Sequence, residues 1–75
     1  MTEAQKEQVR QTLKAFNRVA DKRKTEHETK GVTDEFKVLT DKDFKLFDKL
    51  IAFRDLYAPD MNLNVFLLEV ENETT

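Results

Sequence analysis

The chain has 75 residues, a formal net charge of −2, one glycine, one proline and no cysteine. A chain this short forms one domain with a thin core, and the lack of cysteine excludes disulfides and thiolate metal sites. No apolar run approaches the roughly 18 residues of a membrane span, and the polar first residues contain no signal-peptide core, so a cytoplasmic protein is expected.

A long N-terminal helix is predicted over residues 1–30. Thr2 and Gln5 form a capping box, in which each side chain bonds the other residue's free backbone donor. Apolar residues then recur at i, i+4, i+7 and i+11 in one narrow stripe, which consists of Val9, Leu13, Phe16 and Ala20. Such a stripe is close to a coiled-coil seam, and small domains without staples often depend on a partner subunit. We therefore expect the stripe to pair two copies in a homodimer.

The segment after the stripe is the most polar part of the chain. Residues 21–30 contain no apolar side chain, which fits either a solvated extension of the helix or a loop. Gly31 followed by Val32 is typical of a helix C-terminus, and this favours a helix that reaches about Lys30. Residues 33–39 are too short and too mixed in pattern to assign, and they can be read as helical or as extended.

A second helix is predicted over about 41–58, because Thr40 and Asp43 form another capping-box pattern. Its apolar residues span more than half of the helical circumference, so this helix is expected to be covered on two sides. They are Phe44, Leu46, Phe47, Leu50, Ile51, Phe53, Leu56 and Tyr57. Pro59 is expected to end the helix, because the residue before a proline is pushed out of the α region.

A third helix is predicted after a cap at Asn62 or Asp60. Its apolar residues recur at i, i+3, i+4 and i+7, and they are Leu63, Phe66, Leu67 and Val70. Residues 61–66 also alternate like a strand, so an extended alternative stays open there. The expected fold class is all-α, a small three-helix domain in which residues 1–30 form a basic helix and residues 41–75 form an apolar helical core with an acidic end.

Catalytic and metal-binding patterns are missing from the sequence. His27 is the single histidine, and Asp41, Asp43 and Asp48 do not follow the spacing of a calcium-binding loop. The threonine hydroxyls lack a positioned base, and one glycine cannot form a phosphate-binding loop. We therefore predict no enzyme activity, no cofactor and no metal site.

Positive charge is concentrated at the start of the chain, where residues 1–30 carry a net +3 and residues 31–75 a net −5. Most of these cations recur at every fourth residue and form a slowly turning basic ribbon beside the apolar stripe. The basic ribbon consists of Lys6, Arg10, Lys14, Arg18 and Lys22, with Arg23 and Lys24 as its extension. Such a ribbon can contact nucleic-acid phosphates, but an ordinary solvated face is the favoured interpretation.

Arg54 interrupts the apolar arc of the second predicted helix. A guanidinium at that position needs a carboxylate, a carbonyl or a route to water. The favoured interpretation is an arginine that lays its methylenes on the core and extends its head to solvent. The alternative is an interface arginine in contact with a partner, since arginine is enriched at binding hot spots.

Residues 50–75 resemble the opening of small phage-encoded winged-helix regulators, relatives of the MarR-type repressors. The likeness consists of a helix that ends in an Arg-x-Leu step, a Pro-acidic-Met turn, a helix rich in Phe, Leu and Val, and an acidic-Thr turn. The matching residues are Arg54, Leu56, Pro59, Asp60, Met61, Phe66, Leu67, Leu68, Val70, Glu73 and Thr74. In that family the helix-turn-helix that reads DNA would follow Thr74, so the resemblance implies that this chain is the front part of a regulator.

Two functions of different classes follow from the sequence. The first is the helical, dimerising N-terminal part of a DNA-binding transcriptional regulator of phage type, in a bacterial host cell. The second is a small protein-binding factor, such as a phage inhibitor or an antitoxin-like partner, that uses an exposed apolar groove. A structural or assembly component cannot be separated from the second function by sequence.

Overall fold

The computed structural model describes residues 1–72, which form three α-helices and contain no strand. Helix α1 spans Glu3–Lys30, α2 spans Asp34–Tyr57 and α3 spans Leu63–Asn72. The expected all-α fold with a long N-terminal helix is confirmed for this part of the chain. None of these helices is long and apolar enough to cross a membrane. Glu73 and Thr74, the acidic-Thr turn that the family resemblance implies, lie outside the described residues.

Helix α1 begins and ends where the sequence predicts. The hydroxyl of Thr2 accepts a hydrogen bond from the Gln5 backbone N–H at 3.2 Å, and the Gln5 side chain accepts one from the Thr2 N–H at 2.8 Å. At the other end, Gly31 donates its N–H to the carbonyl of His27 at 3.0 Å and has a φ of 78°. Glycine adopts this φ without the steric cost of a Cβ atom, so it ends α1 and turns the chain toward α2.

Helix α2 begins at Asp34, seven residues before the predicted start at Asp41, so the predicted cap at Thr40 is wrong. Thr33 is the N-cap, and its hydroxyl accepts a hydrogen bond from the Phe36 backbone N–H at 3.1 Å. The hydroxyl of Thr40 instead donates to the Phe36 carbonyl within the helix at 2.9 Å. The open assignment of residues 33–39 is therefore resolved as an N-cap followed by helix.

The end of α2 and the start of α3 follow local rules. Helix α2 ends at Tyr57, and Ala58, which precedes Pro59, has left the α region with a ψ of 62°. The side chain of Asn62 accepts a hydrogen bond from the Asn64 N–H at 2.8 Å, which makes Asn62 rather than Asp60 the cap of α3. Residues 63–66 are helical.

Helices α1 and α2 form an antiparallel hairpin, and α3 packs against one side of it. Phe16 of α1 lies against Phe47 of α2 with 5.9 Å between ring centroids, and closer to the turn His27 lies 5.3 Å from Phe36. The core combines buried side chains from all three helices, which are Val9, Leu13, Leu50, Phe66 and Val70. Helix α2 thus contacts both α1 and α3, but its predicted apolar arc is covered only in part, since Phe44 is 63% and Leu56 71% exposed.

Candidate functional site

The apolar stripe of α1 belongs to the chain's own core. Val9 is fully buried and Leu13 is 6% exposed, and both pack against α2 and α3 of the same chain. Phe16 and Ala20 are half-buried on the same face. In the folded chain Val9 and Leu13 are therefore not exposed to a second copy, because α1 uses its apolar stripe to cover the core. Dimerisation through this stripe stays a prediction.

The N-terminal members of the basic ribbon are engaged in ion pairs along α1. Arg10 contacts the carboxylate of Glu7 at 2.9 Å and that of Glu3 at 3.8 Å, while Lys6 lies 3.5 Å from Glu3. Both basic side chains are largely covered, at 21% exposure for Lys6 and 13% for Arg10. This end of the ribbon is therefore nearly charge-balanced and partly removed from solvent.

Arg23 is directed into the hairpin rather than toward solvent. Its Nε donates to the hydroxyl of Thr40 at 2.9 Å, and its guanidinium lies 5.0 Å from the centroid of the Phe36 ring. The exposed members of the basic ribbon are Lys14, Arg18, Lys22 and Lys24. The structure therefore divides the seven predicted phosphate contacts into three that make intrachain contacts and four that face solvent.

Arg54 makes its polar contacts within its own chain, and a contact with a partner stays a prediction. Its side chain is 28% exposed and pairs with the neighbouring carboxylate of Asp55, as expected for an arginine that extends to solvent. Its Nη1 also donates to the carbonyl of Met61 at 3.4 Å, which links α2 to the turn before α3. The Nε is buried and has no hydrogen-bond partner among the described residues. Arg54 thus lies at an intrachain junction.

An open groove with a volume of about 800 Å³ lies between the start of α1 and the end of α2. The α1 wall is formed by Ala4, Glu7, Gln8, Gln11 and Thr12. The α2 wall is formed by Lys49, Ala52, Phe53 and Leu56. Leu56 is 71% exposed at the edge of the groove, whereas Phe53 is half-buried and packs against the core. We call this surface the α1–α2 groove.

The α1–α2 groove lies on the side of the hairpin that α3 leaves open. Helix α3 contributes Phe66, Glu69 and Val70 to a cleft with Lys6, on another side of α1. No α3 residue lines the groove within the described part of the chain. Ala4 and Ala52 contribute small side chains to its lining. The single helix α3 lies on one side of the hairpin and therefore leaves the side of the groove uncovered.

The two charged groups of the groove differ in their environment. The carboxylate of Glu7 accepts hydrogen bonds from Gln11 Nε2 at 2.8 Å and from Arg10 Nε at 3.0 Å. These bonds, together with the positive charges of Arg10 and Lys14, lower the pKa of Glu7 below its ordinary value of 4.5. Lys49, on the opposite wall, is exposed and makes no ion pair within residues 1–72.

The sequence pattern does not mark the residues of the groove as a site. Leu56 belongs to the apolar arc of α2, which the pattern predicts to be covered on two sides, so periodicity gives no indication that Leu56 is exposed. One feature of the α1 wall is visible in the sequence. Its residues Ala4, Gln8 and Thr12 form an uncharged line at i, i+4 and i+8 in an otherwise highly charged helix.

Comparisons of the chain with protein-family models, with curated proteins and with solved structures found no match. The likeness of residues 50–75 to winged-helix regulators therefore stays a prediction. Function has to be argued from the surfaces described above.

Proposed function

We infer that the chain is a small helical protein-binding module that acts by contact, and that the α1–α2 groove is its binding surface. The observation that carries this inference is a groove of about 800 Å³ with the apolar side chain of Leu56 exposed at its edge. Concave surfaces with an apolar floor and a few polar groups are the usual form of binding sites. An inhibitor or an antitoxin-like factor in a bacterial cytoplasm is consistent with this function.

The remaining features of the molecule agree with action by contact. Leu56 is 71% exposed and borders a concave surface that also contains Phe53, so a partner that fills the groove would bury its apolar side chain. Dimerisation through the α1 stripe is not part of this proposal, because Val9 and Leu13 are already covered by their own chain.

The test uses a display library of helical peptides, from which binders are selected on the immobilised chain. Peptides that use the groove should bind the wild type and lose at least about tenfold in affinity on Leu56→Asp, which places a charge in the apolar site. Leu68→Asp is the matched control, because Leu68 is also exposed but lies on α3 outside the groove. Enriched peptides that bind Leu56→Asp as tightly as the wild type would refute this function.

A second candidate function is the N-terminal part of a DNA-binding regulator of phage type. The observation in its favour is that Lys14, Arg18 and Lys22 are exposed at successive i+4 positions on α1. These three cations can follow a phosphate backbone without sequence readout. Lys6, Arg10 and Arg23 lend it less support, because they already contact groups of their own chain.

The DNA-binding candidate is tested by titrating a fluorescent duplex with the chain at several salt concentrations. Binding through the three cations should weaken steeply with salt, with a slope near −0.9 for each phosphate contact. The triple substitution Lys14→Gln, Arg18→Gln and Lys22→Gln should abolish it. The matched control is the same change of three charges at Lys37, Lys42 and Lys45 of α2, and equal losses in both variants would rule out a specific role of α1.

A further inference from the structure

The charges on the two walls of the α1–α2 groove are not equally available to a partner. On the α1 wall, the Glu7 carboxylate is occupied by Arg10 and Gln11 at distances of 2.8 to 3.0 Å. On the α2 wall, the ammonium of Lys49 is exposed and makes no ion pair within residues 1–72. The charge that remains for recognition in the groove is therefore positive, although the chain as a whole carries a net charge of −2.

A second cation extends this positive side along α2. Lys42 precedes Lys49 by seven residues, which places both on the same side of the helix about 10 Å apart. Lys42 is exposed and has no ion pair in the described part of the chain, whereas Lys45 between them pairs with Asp41 at 3.0 Å. The same side of α2 thus presents two available ammonium groups, Lys49 in the groove and Lys42 about two helical turns beyond its lining residues.

The shape of the groove favours a helical occupant over an extended one. Its α1 wall runs from Ala4 to Thr12, which is about 12 Å or slightly more than two helical turns. Extended peptides bind mainly by adding a strand to a sheet edge or by docking in a groove lined with several aromatic side chains. Residues 1–72 contain no strand, and Phe53 is the one aromatic residue among those that line the groove. An amphipathic helix needs no backbone partner, because its side chains at i, i+3 or i+4 and i+7 fill an apolar groove of this length.

We propose that the α1–α2 groove binds an acidic amphipathic helix of another protein, whose apolar face lies on Phe53 and Leu56 and whose carboxylates pair with Lys49 and Lys42. This proposal rests on the proposed function and adds the chemistry of the partner. A second copy of this chain fits less well. Docking of Val65 and Leu68, which are exposed on α3 away from the groove, would create an open-ended chain of copies. A closed dimer that pairs groove with groove would bring together two walls that each carry Lys49, and like charges disfavour such a contact.

The experiment uses three fluorescein-labelled helical peptides with the same leucine stripe and with flanking positions occupied by glutamate, glutamine or lysine. Their affinities for the full chain are measured by fluorescence anisotropy at low and at high salt. The glutamate peptide should bind about threefold to tenfold more tightly than the glutamine peptide, and the lysine peptide should bind most weakly. The preference for glutamate should shrink at high salt, because these pairs are exposed.

Substitution of Lys49 isolates the electrostatic part of this recognition. Lys49→Gln should reduce the preference for the glutamate peptide and leave the affinity of the glutamine peptide unchanged. Lys37→Gln is the matched control, because it removes the same charge from an exposed position of α2 that does not line the groove. If Lys49→Gln and Lys37→Gln reduce the preference for the glutamate peptide equally, that preference cannot be assigned to Lys49.

The outcomes separate this proposal from the function on which it rests. If all three peptides bind equally and lose affinity on Leu56→Asp, the groove is a binding site but the acidic character of its partner is refuted. If peptide binding is insensitive to Leu56→Asp, the groove is not the site and both proposals fail. Concentration-dependent polymers of the chain alone, lost on either Leu56→Asp or Leu68→Asp, would overturn the choice of another protein as the partner.

Discussion

The guanidinium of Arg23 and the hydroxyl of Thr40 are joined across the α1–α2 hairpin by a hydrogen bond of 2.9 Å. The same guanidinium lies 5.0 Å from the centroid of the Phe36 ring, one helical turn earlier on α2. Thr40 in turn donates its hydroxyl proton to the carbonyl of Phe36 at 2.9 Å. This polar arrangement connects the two helices in the half of the hairpin that lies beyond the three-helix core.

Loss of the Arg23 side chain should therefore destabilise the fold. We expect Arg23→Met to lower the free energy of unfolding by about 1–2 kcal/mol, the combined contribution of one partly buried hydrogen bond and one cation–π contact. The neighbouring Lys24→Met should change it by less than about 0.5 kcal/mol, because Lys24 is exposed. Urea denaturation followed by circular dichroism measures both values, and similar values for the two variants would contradict the contact.

The start of α2 depends on Thr33 rather than on Thr40. The hydroxyl of Thr33 accepts from the Phe36 N–H at 3.1 Å and donates to the carboxylate of Glu26 at 2.8 Å. Thr33→Ala should cost about 1 kcal/mol or slightly more in unfolding free energy, because it removes the cap and one hairpin contact. Thr29→Ala is the control, since that hydroxyl bonds only to carbonyls of its own helix. A larger cost at Thr29 would exclude the capping role of Thr33.

Leu13 should stabilise the monomer rather than a dimer. It is 6% exposed and packs in the same cluster as Leu50 and Val70, so Leu13→Ala should cost about 2–5 kcal/mol. The thermal midpoint of the wild type should also be independent of protein concentration if the stripe is covered within one chain. Leu68→Ala should have little effect, because Leu68 is 55% exposed. If the thermal midpoint rises with protein concentration in the wild type but not in Leu13→Ala, the stripe pairs two copies and this prediction is wrong.

The Glu7 carboxyl should titrate below its ordinary pKa of 4.5. Hydrogen bonds from Gln11 and then from Arg10 stabilise the ionised form, so their contribution to stability is present above the pKa of the unfolded chain. That contribution is lost as the pH falls through the lower pKa of the folded state. Carbon-detected NMR titration measures the value directly, and Gln11→Ala should raise it. A Glu7 pKa at or above 4.5 would contradict the hydrogen-bonded geometry.

Local signals in the sequence predict the ends of the helices when the competing signals are few. Thr2 with Gln5, Gly31 and Pro59 mark boundaries that the structure confirms, because each acts through its own backbone and its near neighbours. The start of α2 is not predicted correctly, because two local signals compete there. Thr33 and Thr40 are both threonines followed by acidic residues, and the sequence alone does not show which hydroxyl meets free N–H groups.

By itself the sequence determined the helical class, the bounds of α1 and the apolar faces of the three helices, since these follow from periodicity and capping within a few residues. Only the tertiary structure decided what covers each face, because that depends on contacts between residues far apart in the chain. It assigned the stripe of Val9 and Leu13 to the chain's own core and directed Arg23 into the hairpin. It also left Leu56 beside an open groove, because the single helix α3 lies on one side of the hairpin and leaves the side of the groove uncovered.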